Sequence, residues 1–310
     1  MRVKVLGSAA GGGFPQWNCA CPQCMGVRAG TLKSRPRTQA QVAVSAEGSQ
    51  WFLLNASPDL RQQILASPDL APPAGSRNTP IHAVVLTSAD VDAVMGLLHL
   101  REFQPLQIFS TVAVRRILME DNSLFRVLSR SNPPVRWETL LLDRLIPLNP
   151  ASPGDKTTGI FCKAVPLGGN FPDYVSEALR RSLAQEEAVI GLSLVSREKR
   201  VLYAPSLPGV GDRWLRSVEE SDVAFLDGTF WKEDELSSVR KGSGSARQMG
   251  HLPLWGEGGL LRQPFRPSKT RRILIHINNT NPILNEESGE SRVVREAGWE
   301  IAYDGMELAV

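Results

Sequence analysis

The sequence predicts a mixed α/β (α+β) protein, with two sheet layers or one large sheet. Three observations carry that expectation. Short runs rich in Val, Ile, Leu and Phe recur along the whole chain, helical stretches lie between many of them, and turn residues bound most of them. Composition agrees. Of 310 residues, 42% are hydrophobic and 22% charged, the balance of a folded globular chain. A net charge of +3, from 35 basic and 32 acidic residues, is too small to argue for nucleic acid or a membrane surface. No apolar stretch approaches the ~18–20 residues that span a bilayer.

Taken in order, the first strand is expected at 2–6, before a glycine-rich turn. Val3, Val5 and Leu6 form too short an apolar core for an export signal, so a cytoplasmic location is expected. Strands follow at 40–46 and 51–55, then a helix at 57–65. A strand at 83–87 leads into a helix at 93–100, and a strand at 108–110 into a helix at 112–121. After a strand at 161–165, Val175, Leu179 and Leu183 recur at helical spacing and predict a helix over 173–185. Further strands are expected at 190–195, 200–203, 223–227, 272–277 and 301–303, with helices at 211–217 and 292–297. There is no internal repeat and no dividing linker, so one domain over 1–310 is expected. Two stretches read as mobile: 148–158, rich in Pro, Gly and polar residues, and 240–248 (RKGSGSARQ). The second lies between Asp227 and His251, and reads either as a lid or as a solvated surface loop.

Three of the four cysteines, Cys19, Cys21 and Cys24, fall in a C-x-C-x-x-C pattern. Thiolates so spaced converge on one tetrahedral ion when the backbone turns, and a closed thiolate-rich site is ordinarily structural zinc. The fourth ligand must be His, Asn, Asp or water. Cys162, alone on an apolar run, reads as a small buried side chain. Among His82, His99, His251 and His276, the last draws attention. It ends an apolar strand and precedes an Asn-rich turn, where sheet proteins commonly place site residues. His251 follows the Gly/Ser/Arg-rich loop. Asp90 and Asp92 stand beside a helix start, where carboxylates either bind metal or cap the helix.

The stretch 84–98 (VVLTSADVDAVMGLL) resembles the T-H-x-H-x-D-H-x-x-G-L motif of the metallo-β-lactamase superfamily. Thr87, Asp92, Gly96 and Leu97 match it, while its three histidine positions hold Ser88, Asp90 and Ala93. A narrower set of segments runs in order along the chain: 5–19 (VLGSAAGGGFPQWNC), 37–39 (RTQ), 55–61 (NASPDLR), 97–102 (LLHLRE), 203–205 (YAP), 225–231 (FLDGTFW), 249–251 (MGH), 276–282 (HINNTNP) and 303–307 (YDGME). These resemble the branch of that superfamily that serves synthesis of pyrroloquinoline quinone (PQQ).

The resemblance implies a four-layer αβ/βα sandwich and a role in PQQ biosynthesis. The activity it implies is iron-dependent hydroxylation of the tyrosine-derived ring of a Glu–Tyr precursor. A carrier of PQQ or its precursor without turnover, and a degenerate metallo-hydrolase, are the alternatives. It implies structural zinc on Cys19, Cys21 and Cys24, with Asn279 or water completing the shell. It places active-site iron(II) on Asp92 and His276 with help from Asp90, and gives His251 a proton-handling role beside Asp227. Ser88, Arg61 and Arg101 are the candidate substrate contacts. Ala93 departs from the branch, which usually has His there, and Pro205 stands near where relatives place a bridging Asp. The partners implied are PQQ or its precursor, other PQQ biosynthesis proteins and a second copy of the chain in a homodimer.

Overall fold

Most strands of this chain do not alternate between apolar and polar, because both of their faces are covered. Gln41–Ser45, Trp51–Leu54 and Val223–Asp227 are buried at every position. The computed structural model describes residues 1–102, 105–130, 135–149, 158–266 and 268–310. In chain order its strands are β1 (Arg2–Gly7), β2 (Gln41–Ser45), β3 (Trp51–Leu54), β4 (Ile81–Val85), β5 (Gln107–Ser110), β6 (Arg136–Thr139), β7 (Leu145–Pro147), β8 (Phe161–Gly168), β9 (Val189–Ser196), β10 (Lys199–Ala204), β11 (Val223–Asp227), β12 (Arg271–Ile275), β13 (Trp299–Ile301) and β14 (Glu307–Ala309). The helices are α1 (Pro22–Ala29), α2 (Leu60–Leu65), α3 (Val91–Val94), α4 (Val112–Glu120), α5 (Glu177–Arg180), α6 (Asp212–Glu219) and α7 (Gly289–Glu296). The strands form two seven-stranded mixed sheets flanked by helices, the α/β sandwich that the sequence predicts.

The chain divides into two compact units. The first comprises Met1–Leu6, Gln41–Arg200 and Gly305–Val310. One of its sheets runs in the order β14-β1-β2-β3-β4-β5-β6, and β7, β8 and β9 form antiparallel pairs. Its core gathers Trp51, Leu53, Leu60, Val84, Leu97, Ile108 and Ile117. The second comprises Gly7–Ala40 and Val201–Asp304. There β10, β11, β12 and β13 lie side by side and parallel, so their C-terminal ends share one edge.

The helix expected over 173–185 is corrected. Only the four-residue α5 is α-helical, with a 3-10 turn at Gln185–Glu187. Ser176 sits in extended backbone and caps Leu179 N, so the chain restarts there rather than continuing from Pro172. Val175, Leu179 and Leu183 still pack on the core, so their spacing reported the buried face and not an unbroken helix. The helix at 93–100 likewise divides into α3 and a 3-10 segment, Met95–Leu100. α1, β6, β7 and β14 escaped the sequence reading. Pro22 stands in the first turn of α1, where its missing N–H costs nothing. β6 carries the polar alternation of a half-exposed strand.

The segment 240–248 is tethered rather than loose at its C-terminal end. Ala246 is buried and its N–H donates to Glu233 O at 2.8 Å, while the Arg247 guanidinium pairs with Glu233. Most of 148–158 lies outside the described residues. Among the described residues, no helix is long and apolar enough to cross a membrane.

Candidate metal centres

Two groups of metal-competent side chains form among the described residues: Cys19, Cys21 and Cys24, and Asp227, His251 and His276. Within each, the ligand atoms lie within 4.8 Å of one another. Both belong to the second unit.

The histidine group stands at the C-terminal ends of parallel strands, the usual site edge of such sheets. Asp227 is the last residue of β11, opposite Ile275 of β12, and His276 follows directly. Gly228 turns the chain where a side chain has little room. A Cβ there would stand 3.0 Å from Ile275 O and 3.1 Å from Leu274 Cβ. His276 adopts φ 60°, a left-handed conformation that costs a non-glycine residue roughly 1–2 kcal/mol. It is held there by Ile277 N–H donating to Ser8 O at 3.0 Å and Asn278 N–H donating to Thr229 O at 3.1 Å. His251 comes from a loop fixed by its own N–H to Ala246 O at 2.9 Å and by Leu252 N–H to Leu207 O at 2.8 Å.

Asp227 is fully buried and collects four donors. Leu207 N–H reaches Oδ2 at 2.8 Å and Thr229 N–H reaches Oδ1 at 3.0 Å. The Thr229 hydroxyl reaches Oδ1 at 2.6 Å, and His251 Nδ1 reaches Oδ2 at 2.8 Å. Burial pushes this carboxyl up, but the neighbouring histidines and its hydrogen bonds outweigh burial and hold it below the usual carboxylate range. The His251 and His276 rings stack with centroids 5.2 Å apart at 23°. Phe230 meets His251 edge-on.

The Asn-rich turn after His276 braces this edge. Asn281 Nδ2 donates to Gly228 O at 2.9 Å, and Asn278 Nδ2 donates to Thr280 Oγ1 at 2.6 Å. Thr280 in turn donates to Glu235 Oε1 at 2.6 Å. Burial pushes Glu235 up to about 7 against the hydrogen bonds it accepts from the Thr280 hydroxyl and the Trp231 and Lys232 N–H groups. Neither Thr229 nor Glu235 was marked as a site residue from sequence. The Asp227-Gly228-Thr229 turn was visible, but the convergence of its hydroxyl on both histidines required the fold.

In the cysteine group, Cys21 caps α1 with its sulfur accepting from Cys24 N, and all three thiols are free of disulfides. The Asn279 carboxamide lies 3.3 Å from Cys24 Sγ and 3.7 Å from Cys21 Sγ, its Nδ2 donating to both. The Asn279 side chain thus stands within reach of both sulfurs. Burial pushes the Cys21 thiol up to about 12. At Cys19 burial acts the same way, but the Cys21 N–H at 3.4 Å and the surrounding side-chain donors lower the thiol below its ordinary value. Three sulfurs on a helix start, two of them buried, are a donor set that fits a soft tetrahedral cation such as zinc.

The remaining expected site residues lie in the first unit and belong to neither group. Asp90 precedes α3 but makes no side-chain cap; its Oδ2 accepts from Ser88 Oγ at 2.7 Å. Asp92 lies in the first turn of α3, half-buried. Asn55 fixes Thr87 ahead of this loop, with Thr87 N–H to Oδ1 and Nδ2 to Thr87 Oγ1, both at 2.9 Å. Ala93 is buried and its carbonyl accepts from Ala56 N. Arg61 is exposed on α2. Arg101 is exposed too, and its guanidinium donates to Leu98 O at 2.6 Å. Cys162 is fully buried, as expected of a packing residue.

Comparison with known proteins agrees with this architecture. The profile described as "Beta-lactamase superfamily domain" matches residues 50–277. Coenzyme PQQ synthesis protein B of Azoarcus sp. (strain BH72) is 42% identical over 100% of both chains, and that of Pseudomonas paraeruginosa (strain DSM 24068 / PA7) is 41% identical over 99% of both. The crystal structure of Zn(2+)-bound PqqB from Methylobacterium extorquens superposes with a TM-score of 0.89 at 37% identity, covering 100% of each chain. A diphosphatase of the PhnP family, at 17% identity, TM-score 0.60 and coverage of 100% of this chain and 97% of its own, shares the fold. With full-length identity at this level and the superfamily profile over most of its length, the chain belongs to the coenzyme PQQ synthesis protein B family of the β-lactamase superfamily.

Proposed function

We propose that this chain serves pyrroloquinoline quinone biosynthesis as an iron-dependent enzyme that hydroxylates the tyrosine-derived ring of a Glu–Tyr precursor. The observation that carries the reading is the Asp227–His251–His276 group at the sheet edge, in a chain whose full-length relatives bear the name of PQQ synthesis. An imidazole nitrogen, joined by carboxylate oxygens from outside this group, is a donor suited to iron(II). His276 is the proposed ligand in this group, with Asp92 and Asp90 proposed on the family motif alone. Iron(II) would supply the one-electron chemistry that activates dioxygen. His251, aligned by Asp227, would hold or move a proton on the ring hydroxyl. Ser88, Arg61 and Arg101 are proposed substrate contacts, the two guanidinium groups suited to the precursor's carboxylates. Structural zinc is proposed on Cys19, Cys21 and Cys24, with Asn279 or water completing the shell. The Zn(2+)-bound relative supports a metal of this kind. We place the protein in the cytoplasm, as one 1–310 domain working as a homodimer with other PQQ biosynthesis proteins.

A second reading has its own observation. Ala93 cannot ligate, so a member with this residue suits a carrier of PQQ or its precursor. Anaerobic metal analysis before and after iron(II) addition, paired with PQQ titration of chelator-treated protein, separates the two. About one zinc and one iron per chain supports the oxygenase reading. Zinc alone, with tight PQQ binding that survives chelation, overturns it in favour of the carrier.

A further inference from the structure

We infer that Thr229 is a positioning residue that joins Asp227 to His276 and so sets both histidines in the same tautomer. One hydroxyl stands within hydrogen-bond reach of four groups: Asp227 Oδ1 at 2.6 Å, His276 Nδ1 at 2.8 Å, His276 O at 2.8 Å and His251 Nδ1 at 3.1 Å. That hydroxyl has a single proton. Two oxygens 2.6 Å apart require a proton between them, and a carboxylate has none to give. The Thr229 proton therefore points to Asp227 Oδ1, shared with the His276 carbonyl. The contact with His276 Nδ1 must then run the other way, with the ring N–H donating to Thr229 Oγ.

His251 Nδ1 is placed alike, 2.8 Å from Asp227 Oδ2, so it also carries its proton there. One buried carboxylate thus orients two imidazoles. It holds His251 directly through Oδ2 and His276 through Thr229 and Oδ1. In both rings Nε2 is left with the lone pair, the atom that ligates a metal or accepts a substrate proton. The left-handed turn at His276 follows from the same geometry, because it brings the residue's ring nitrogen and its carbonyl onto one hydroxyl. In this arrangement Asp227 is the outer partner of the histidines, a role that in metal sites fixes ring orientation and raises ligand basicity.

The tautomer assignment stands on the geometry alone. Its consequence for a metal rests on the proposed iron reading, and the test keeps the two apart. Long-range proton–nitrogen NMR on metal-free protein reads the tautomer of each ring, with His82→Gln and His99→Gln leaving only the two signals of interest. Both rings are expected as Nδ1–H in the wild type and in Thr229→Ser. In Thr229→Val, which keeps the shape and loses the hydroxyl, His276 is expected to shift to a mixture while His251 stays Nδ1–H. A wild-type His276 protonated on Nε2, or an unchanged His276 in Thr229→Val, overturns the assignment. The wild-type spectrum decides even if the valine variant does not fold. Separately, anaerobic iron(II) titration is expected to weaken about 10- to 100-fold in Thr229→Val and to recover in Thr229→Ser. Absence of iron binding to the wild type would defeat the iron reading and leave the tautomer result in place.

Discussion

Asp227→Asn is the substitution that tests the geometry of the buried carboxylate most directly. The two side chains have the same shape, but the native carboxylate accepts backbone N–H groups on both oxygens: Leu207 on Oδ2 and Thr229 on Oδ1, at 2.8 and 3.0 Å. A carboxamide has one oxygen. Either orientation sets an NH2 group against a buried backbone donor, so one N–H loses its partner and faces another donor. Each unsatisfied buried donor costs about 1–3 kcal/mol, and His251 also loses its anionic partner, so a loss of about 2–4 kcal/mol is expected. For a chain of this size that is a fall of about 3–6 °C in melting temperature of metal-free protein. The pH dependence follows from the same carboxyl. Its folded-state value lies below the usual carboxylate range, so it stabilises the protein above the unfolded pKa of about 3.9 and loses that contribution as pH falls through the folded value. The gap between wild type and Asp227→Asn should therefore be full at neutral pH and narrow below about pH 4. Thermal or urea unfolding at several pH values reads both. A variant whose melting temperature matches the wild type at pH 7 would refute the hydrogen-bond assignment.

Three shorter predictions follow from the same structure. Gly96→Ala should destabilise by about 1–3 kcal/mol, because a Cβ there would meet Ser57 O at 2.3 Å and Ala56 C at 2.9 Å, all backbone; chemical denaturation measures it. Cys24→Ser should lose the proposed zinc, since Cys24 is a fully buried member of the sulfur group; zinc content and unfolding in the presence of chelator test this, and the variant should match chelator-treated wild type. Ala93→His should raise iron content over the wild type by restoring an imidazole where the family motif carries one; equal iron in the two proteins would show that residue 93 has no part in metal binding.

How much was legible depended on whether the signal was local. Strands such as 223–227 and 51–55 were readable because a run buried on both faces is almost wholly apolar, Val-Ala-Phe-Leu ahead of Asp227 and Trp-Phe-Leu-Leu ahead of Asn55. The 173–185 region misled because burial at a spacing of four does not require continuous helical hydrogen bonding, and the Ser176 cap interrupts it. Edge strands β6 and β14 were missed because their pairing partners, not their own residues, define them. The cysteine group was fully visible, its three members lying within six residues of one another. The histidine group was half visible. His276 and His251 stood out by context, yet their meeting with Asp227 spans some fifty positions of sequence and depends on the parallel pairing of β11 with β12.

The energetic character of that group argues for chemistry at this edge rather than for stability. A buried carboxylate is retained only if its donors repay desolvation, and breaking such a set is more damaging than replacing it whole with apolar groups. Here the fold supplies two backbone donors, a hydroxyl and an imidazole to one carboxylate, and sets His276 in a left-handed conformation beside it. An apolar strand end would have satisfied packing without any of these requirements. What the arrangement produces, and packing does not need, is a pair of stacked imidazoles whose Nδ1 atoms are both held by Asp227 and Thr229. The hydrogen bonds described for this pair run among Asp227, Thr229, His251 and His276. The oxygenase and carrier readings therefore differ in what the pair faces, a metal or a quinone, and not in whether the pair is built.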